Sequence, residues 1–204
     1  MASDTDSANV ALRLIGQTPI TSLTDGSVTA NVVDDLFMEV LHDLLRSHPW
    51  NFATKRVQLA RLSVAPTFEF DYAYAHPSDW LRTMSVHDND AGHGTVLYRT
   101  EQVDGQNSIV SSSDTIYMRY VYRVTDQNLM SADFRRAFQL ALARDLAIPL
   151  ASSNSMQEAY SKEASRVLAR ARSTDAMGGF PELRPRGSWA SSRGGFRRDD
   201  FLSD

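Results

Sequence analysis

Between residues 28 and 47 the apolar positions Val33, Leu36, Phe37, Val40, Leu41, Leu44 and Leu45 recur at spacings of three and four. That period puts them on one face of a helix, and Thr24, Asp25 and Ser27 offer caps for its start. At His48-Pro49-Trp50-Asn51-Phe52-Ala53-Thr54-Lys55-Arg56 the period drops to two. Pro49 cannot continue a helix and drives His48 out of the helical region, so the change of element is a covalent necessity. Trp50 and Phe52 are expected on the same side of an extended segment, anchoring the corner against a core.

The same reading runs along the rest of the chain. Residues 6–16 predict a helix with Val10, Leu12, Leu14 and Ile15 apolar, Asp6 or Ser7 as N-cap and Gly16 as stop. From residue 54 to 124 the signals are those of strands. Val57, Leu59 and Leu62 follow the corner, and Phe68, Phe70, Tyr72 and Tyr74 alternate between Pro66 and Pro77. Asp104-Gly105 marks a hairpin between residues 96–103 and 108–111. Residues 115–124, with Tyr117, Tyr120 and Tyr122, form a further aromatic strand.

Helical spacing returns with Phe134, Phe138, Leu142 and Leu146, capped by Ser131 and running to about residue 150, where Pro149 and Ser152-Ser153-Asn154-Ser155 break it. A last helix spans residues 155–174, with Lys162, Arg166, Arg170 and Arg172 toward its C-terminal half, where the helix dipole favours cations. The expected fold is therefore α+β and mainly α. An antiparallel helical bundle (residues 1–53 and 125–177) carries a small antiparallel β-sheet inserted at residues 54–124. An extended C-terminal tail, residues 178–204, completes it.

That tail has no periodic apolar face, but it interleaves Phe180, Leu183, Trp189, Phe196, Phe201 and Leu202 with Arg184, Arg186, Arg193, Arg197 and Arg198. Aromatics and arginine dominate binding hot spots. The tail reads as a segment that orders on a partner. Glu182, Asp199, Asp200 and Asp204 offset its arginines, which disfavours nucleic acid and favours a protein groove.

Composition narrows the function further. At 204 residues the chain can bury a real core, and its net charge of −4 argues against a globally basic nucleic-acid binder. It has no cysteine, hence no disulfide framework or thiolate site, as expected of a protein made in a reducing cytosol. No apolar run approaches a membrane span, and the N-terminus lacks the basic and apolar regions of a signal peptide. Phosphate-binding glycine loops and nucleophile elbows are absent. His87, Asp90 and His93 could at most suggest a metal-dependent hydrolase, but their loop does not match a calcium site. The expectation is no enzyme, no catalytic residue, no cofactor and no metal.

Three stretches resemble the tail tubular protein A family, the head-to-tail connector or adaptor proteins of short-tailed phages. Ala11-Leu12-Arg13-Leu14-Ile15-Gly16-Gln17-Thr18-Pro19-Ile20-Thr21-Ser22-Leu23 is similar to that family's "ALxxxGxxPIxSL". His48-Pro49-Trp50-Asn51-Phe52-Ala53-Thr54-Lys55-Arg56 is similar to its "HPWNFAxxR". Phe70-Asp71-Tyr72-Ala73-Tyr74 with Pro77-Ser78-Asp79-Trp80-Leu81-Arg82 is similar to "YxYxLPxDCLR", with Trp80 in place of the commoner cysteine.

The resemblance implies a structural adaptor in the neck of a virion, between capsid and tail, assembled in the host cytoplasm. It implies a dodecameric ring beneath the portal protein, joined to a distal tail or nozzle protein, through whose lumen DNA passes without being read. His48, Pro49, Trp50, Asn51 and Phe52 would be determinants of the fold. Phe180, Trp189, Arg193, Phe196, Arg197, Arg198 and Phe201 of the tail would contact the portal. A closed ring needs heterologous contacts, and the acidic Asp35, Glu39 and Asp43 and the basic Arg166 and Arg170 are candidates for them. The alternative is a non-virion binding or regulatory module whose C-terminal segment takes the partner.

Overall fold

The computed structural model describes residues 3–92 and 96–178. Among them are four helices and two small antiparallel sheets, an α+β arrangement. Helix α1 is Asp4–Leu14 and α2 is Val28–Arg46. A 3-10 turn, Asn51–Ala53, leads into β1, Thr54–Gln58. Strands β2 (Tyr72–Ala75), β3 (Trp80–His87), β4 (Arg99–Val103), β5 (Gln106–Ser111) and β6 (Tyr117–Tyr122) follow. Helices α3, Ala132–Ala151, and α4, Asn154–Met177, close the described chain.

Helix α3 is the centre of the helical part and packs against α1, α2 and α4. Its sequence explains the placement, because Phe134, Ala137, Phe138, Leu140, Ala141, Leu142, Ala143, Leu146 and Ala147 are buried on nearly every side. A helix apolar all round belongs inside. Its alanines let the neighbours approach closely, and Phe37 of α2 meets Phe138 edge to face with ring centroids 5.0 Å apart.

Two sheets, rather than the single sheet expected, occupy residues 54–122. Their strand orders are β1-β6-β3 and β2-β5-β4. Val121 of the first sheet, with Leu81 and Met84, packs toward the helices. Met118, Tyr120 and Val86 pack with Tyr74 and Ile109 of the second sheet in a core of their own. A third, small cluster of Phe70, Ala73, Val103 and Val110 contains the alternate residues of the second sheet. Alternation along each strand thus feeds successive layers.

Several expectations are corrected. Helix α1 begins earlier, because Ser3, not Asp6 or Ser7, is its N-cap. The Ser3 hydroxyl accepts from Asp6 N–H at 3.1 Å and the Asp6 carboxylate accepts from Ser3 N–H at 3.0 Å, a reciprocal capping box. Helix α3 ends at Ala151, about where expected, with Pro149 inside its last turn and the chain turning at Ser152, whose φ of 48° and ψ of 36° are left-handed. The alternation from Phe68 to Tyr74 is strand only from Tyr72. Glu69 has φ of 72°, which breaks the extended run, and Phe68 is left exposed. The Asp104-Gly105 hairpin forms as expected, with φ of 52° and 74°, the two positive values a type I′ turn requires.

Candidate functional site

The corner at residues 48–54 is built where α2 ends. A helix leaves its last carbonyls without partners, and here they are met in turn. Ser47 Oγ donates to the Leu44 carbonyl at 2.7 Å, and Trp50 Nε1 donates to the same oxygen at 3.0 Å. Arg82 Nη1 donates to the Arg46 carbonyl at 2.8 Å. Trp50 and Phe52 do share a side, but through the 3-10 turn and not an extended segment. Their rings stack at 5.9 Å, and both lie against Phe134 at the start of α3, at 4.9 and 5.0 Å. Trp50 is fully buried, and His48 stands edge-on to it at 4.7 Å.

With Trp50 held inside, His48 and Asn51 receive the end of α4. Asn51 Nδ2 donates to the Asp175 carbonyl at 2.6 Å, and its backbone N–H reaches both carboxylate oxygens at 3.1 and 3.2 Å. His48 Nε2 lies 3.3 Å from Asp175 Oδ2, with only 10% of the Asp175 side chain exposed. A carboxylate near a helix C-terminus opposes the dipole, and these donors offset that cost. Burial pulls the His48 imidazole below its ordinary value; Asp175 pushes the other way without prevailing. His48 is therefore neutral near pH 7 and works as a hydrogen-bonding partner rather than a full charge. The described chain ends at Gly178, beside the corner, where its N–H donates to the Asp175 carbonyl at 3.1 Å.

Two further stretches, residues 11–23 and 70–82, do related work. In the first, Gly16, at φ of 75°, ends α1, and Gln17 N–H returns to the Leu12 carbonyl at 2.9 Å. Gln17 Nε2 donates to the Leu150 carbonyl at the end of α3 at 2.9 Å. In the other, Asp79 binds Lys55 Nζ at 2.7 Å and accepts from Tyr120 OH at 3.0 Å. Burial works to raise the Asp79 pKa, but the bonds from Lys55 and Tyr120 outweigh it and leave it below the usual carboxylate value. The Tyr120 phenol, buried and facing that carboxylate, is pushed up to about 12. Lys55 also lies 3.8 Å over the Tyr122 ring.

Tyr160 on α4 completes the set by donating to the Leu14 carbonyl at the end of α1. Each of the four helices thus has a C-terminal carbonyl held by a side chain from beyond its own turns. Trp80 packs on His76 at 4.2 Å and donates from Nε1 to Thr83 Oγ1 at 3.0 Å.

Among the remaining expected site residues, Asp35, Glu39 and Asp43 are exposed along α2, and Arg166 and Arg170 are exposed along α4. The structure does not bring these two sets together within one chain. No ion pair joins them among the described residues, and Arg166 instead binds Glu163 of its own helix at 2.7 and 3.0 Å. Phe180, Trp189, Arg193, Phe196, Arg197, Arg198 and Phe201 lie outside the described residues, as does His93. Among the described residues no group of three or more His, Cys, Asp or Glu side chains is placed to hold a metal, and no helix is long and apolar enough to cross a membrane. Sequence reasoning missed Asp175 altogether, since a lone aspartate in the last turn of a helix carries no local signal. No protein-family model and no curated protein matches the chain.

Proposed function

We propose that this chain is a structural head-to-tail adaptor of a tailed phage or phage-like particle. It works as one subunit of a dodecameric ring beneath the portal protein, joining the portal to the next tail component. Its helices act as an antiparallel bundle carrying the β-rich residues as an insertion. Residues 179–204 reach the portal, and DNA crosses the lumen without sequence-specific contact. The function is one of shape and involves no catalysis.

The observation that carries this reading is the convergence of the three family-like stretches on one framework. Lys55 of the second binds Asp79 of the third, and Arg82 of the third binds the end of the helix from which the second departs. Gln17 of the first holds the end of α3. Such mutual bracing suits a subunit that must keep its shape under the load of a particle neck. It also brings the chain out at Gly178 from a fixed point, as a portal-seeking tail would need.

The test is localisation and truncation together. Averaged electron micrographs of the intact particle should place the subunit in the neck. A chain ending at residue 178 should keep its helical circular dichroism and lose portal binding. Absence from finished particles favours the non-virion binding module instead.

A further inference from the structure

Helix α4 runs for 24 residues, yet only Ala164 and Ala171 of it are buried. Its outer side carries Lys162, Arg166 and Arg170, all exposed and four residues apart. Exposed Ala159, Ser165, Ala169 and Ser173 lie among them, and the exposed Glu158 stands at one end of the row. Helix α2 shows the opposite charge in the same rhythm, with Asp35, Glu39 and Asp43 exposed and also four residues apart. At 1.5 Å rise per residue each row has a step of about 6 Å and a length of about 12 Å. The two combs match in spacing and oppose in sign.

One chain cannot use this match on itself. Both α2 and α4 pack on α3, and among the described residues no ion pair links the acidic row to the basic one. We propose that the basic row of α4 docks on the acidic row of α2 in a second copy of this chain. Different faces then meet at each contact, so every copy keeps one face of each kind free for the next, and the series closes into a ring if the rotation allows. The bond between Arg166 and Glu163 is no obstacle, because an exposed pair of this kind contributes little and can exchange partners. The closure, though not the pairing, rests on the adaptor reading above.

Charge reversal tests the pairing. One variant carries Asp35→Lys, Glu39→Lys and Asp43→Lys; the other carries Lys162→Glu, Arg166→Glu and Arg170→Glu. Mass photometry and light scattering at low salt should show the native chain associating, and association should weaken as salt shortens the screening length. Each variant alone, with native circular dichroism, should associate at least tenfold more weakly. Their equimolar mixture should recover association in alternating copies, since each then meets its opposite. Association of either folded variant as strong as the native chain's, no recovery on mixing, or a native chain that stays monomeric at every concentration would overturn the pairing. Rings that form equally well from either variant leave the adaptor reading intact and remove this interface. Charge-dependent pairing by a chain absent from particle necks keeps the interface and removes the adaptor reading.

Discussion

Asn51 holds the last turn of α4 by two routes, its side chain donating to the Asp175 carbonyl at 2.6 Å and its backbone N–H reaching the Asp175 carboxylate at 3.1 and 3.2 Å. The two residues are 124 positions apart, and their contact joins the corner after α2 to the end of α4. An asparagine suits the position because it donates to the carbonyl without adding charge beside the carboxylate.

Removing either partner leaves the other with unmet polar groups. Asp175→Ala and Asn51→Ala should each lower unfolding free energy by about 1–2 kcal/mol, the loss expected for partly solvated hydrogen bonds. Their double variant should lose about the sum, since each substitution removes a bond to the other residue's backbone and leaves the second bond in place. Urea titration of the four chains measures this, and no loss in either single variant would show that the contact contributes nothing.

Trp50 combines full burial, two aromatic neighbours and a bond to the Leu44 carbonyl. Trp50→Ala should cost about 3–5 kcal/mol, the range for deleting a large core ring. Trp50→Phe should cost less while still losing the cap on α2. A loss under 1 kcal/mol in denaturant melts of the alanine variant would mean that the corner is not the anchor described.

Burial holds the imidazoles of His42, His48 and His76 below their ordinary value of 6.5. Unfolded imidazoles therefore take up protons at a higher pH than folded ones. The stability from these residues is complete above about pH 6.5 and is lost progressively as the pH falls through that value toward the lower folded pKa values. The midpoint of urea unfolding should drop between pH 7 and 5.5, and His48→Gln or His76→Gln should each flatten that slope. The lowered carboxylates, Asp6, Asp25, Asp79, Asp126 and Glu163, start from 3.8 to 4.5 and act below this window.

The β4–β5 turn offers a test of backbone strain free of packing. Gly105 has φ of 74°, and a Cβ there would meet nothing within 4 Å. Gly105→Ala should then cost only the left-handed penalty, about 1–2 kcal/mol, and Gly105→Asn less. Equal stability of all three chains in thermal melts would show that the turn relaxes to another type.

The elements that could be read along the chain are those whose cause is local. Pro49 ends α2, Ser27 and Ser131 cap helices, Gly16 turns left-handed and Asp104-Gly105 makes a hairpin, because each acts through its own backbone within a few residues. Other features needed the assembled fold. Whether residues 54–122 make one sheet or two depends on which strands find each other across long loops, and periodicity says nothing of partners. The bond of Asn51 to Asp175 and that of Gln17 to Leu150 follow from helix ends brought together by burial, and a free carbonyl at a helix end is the same in every sequence. Local chemistry decided where elements start and stop, while the packing of α3 among its neighbours decided which ends meet.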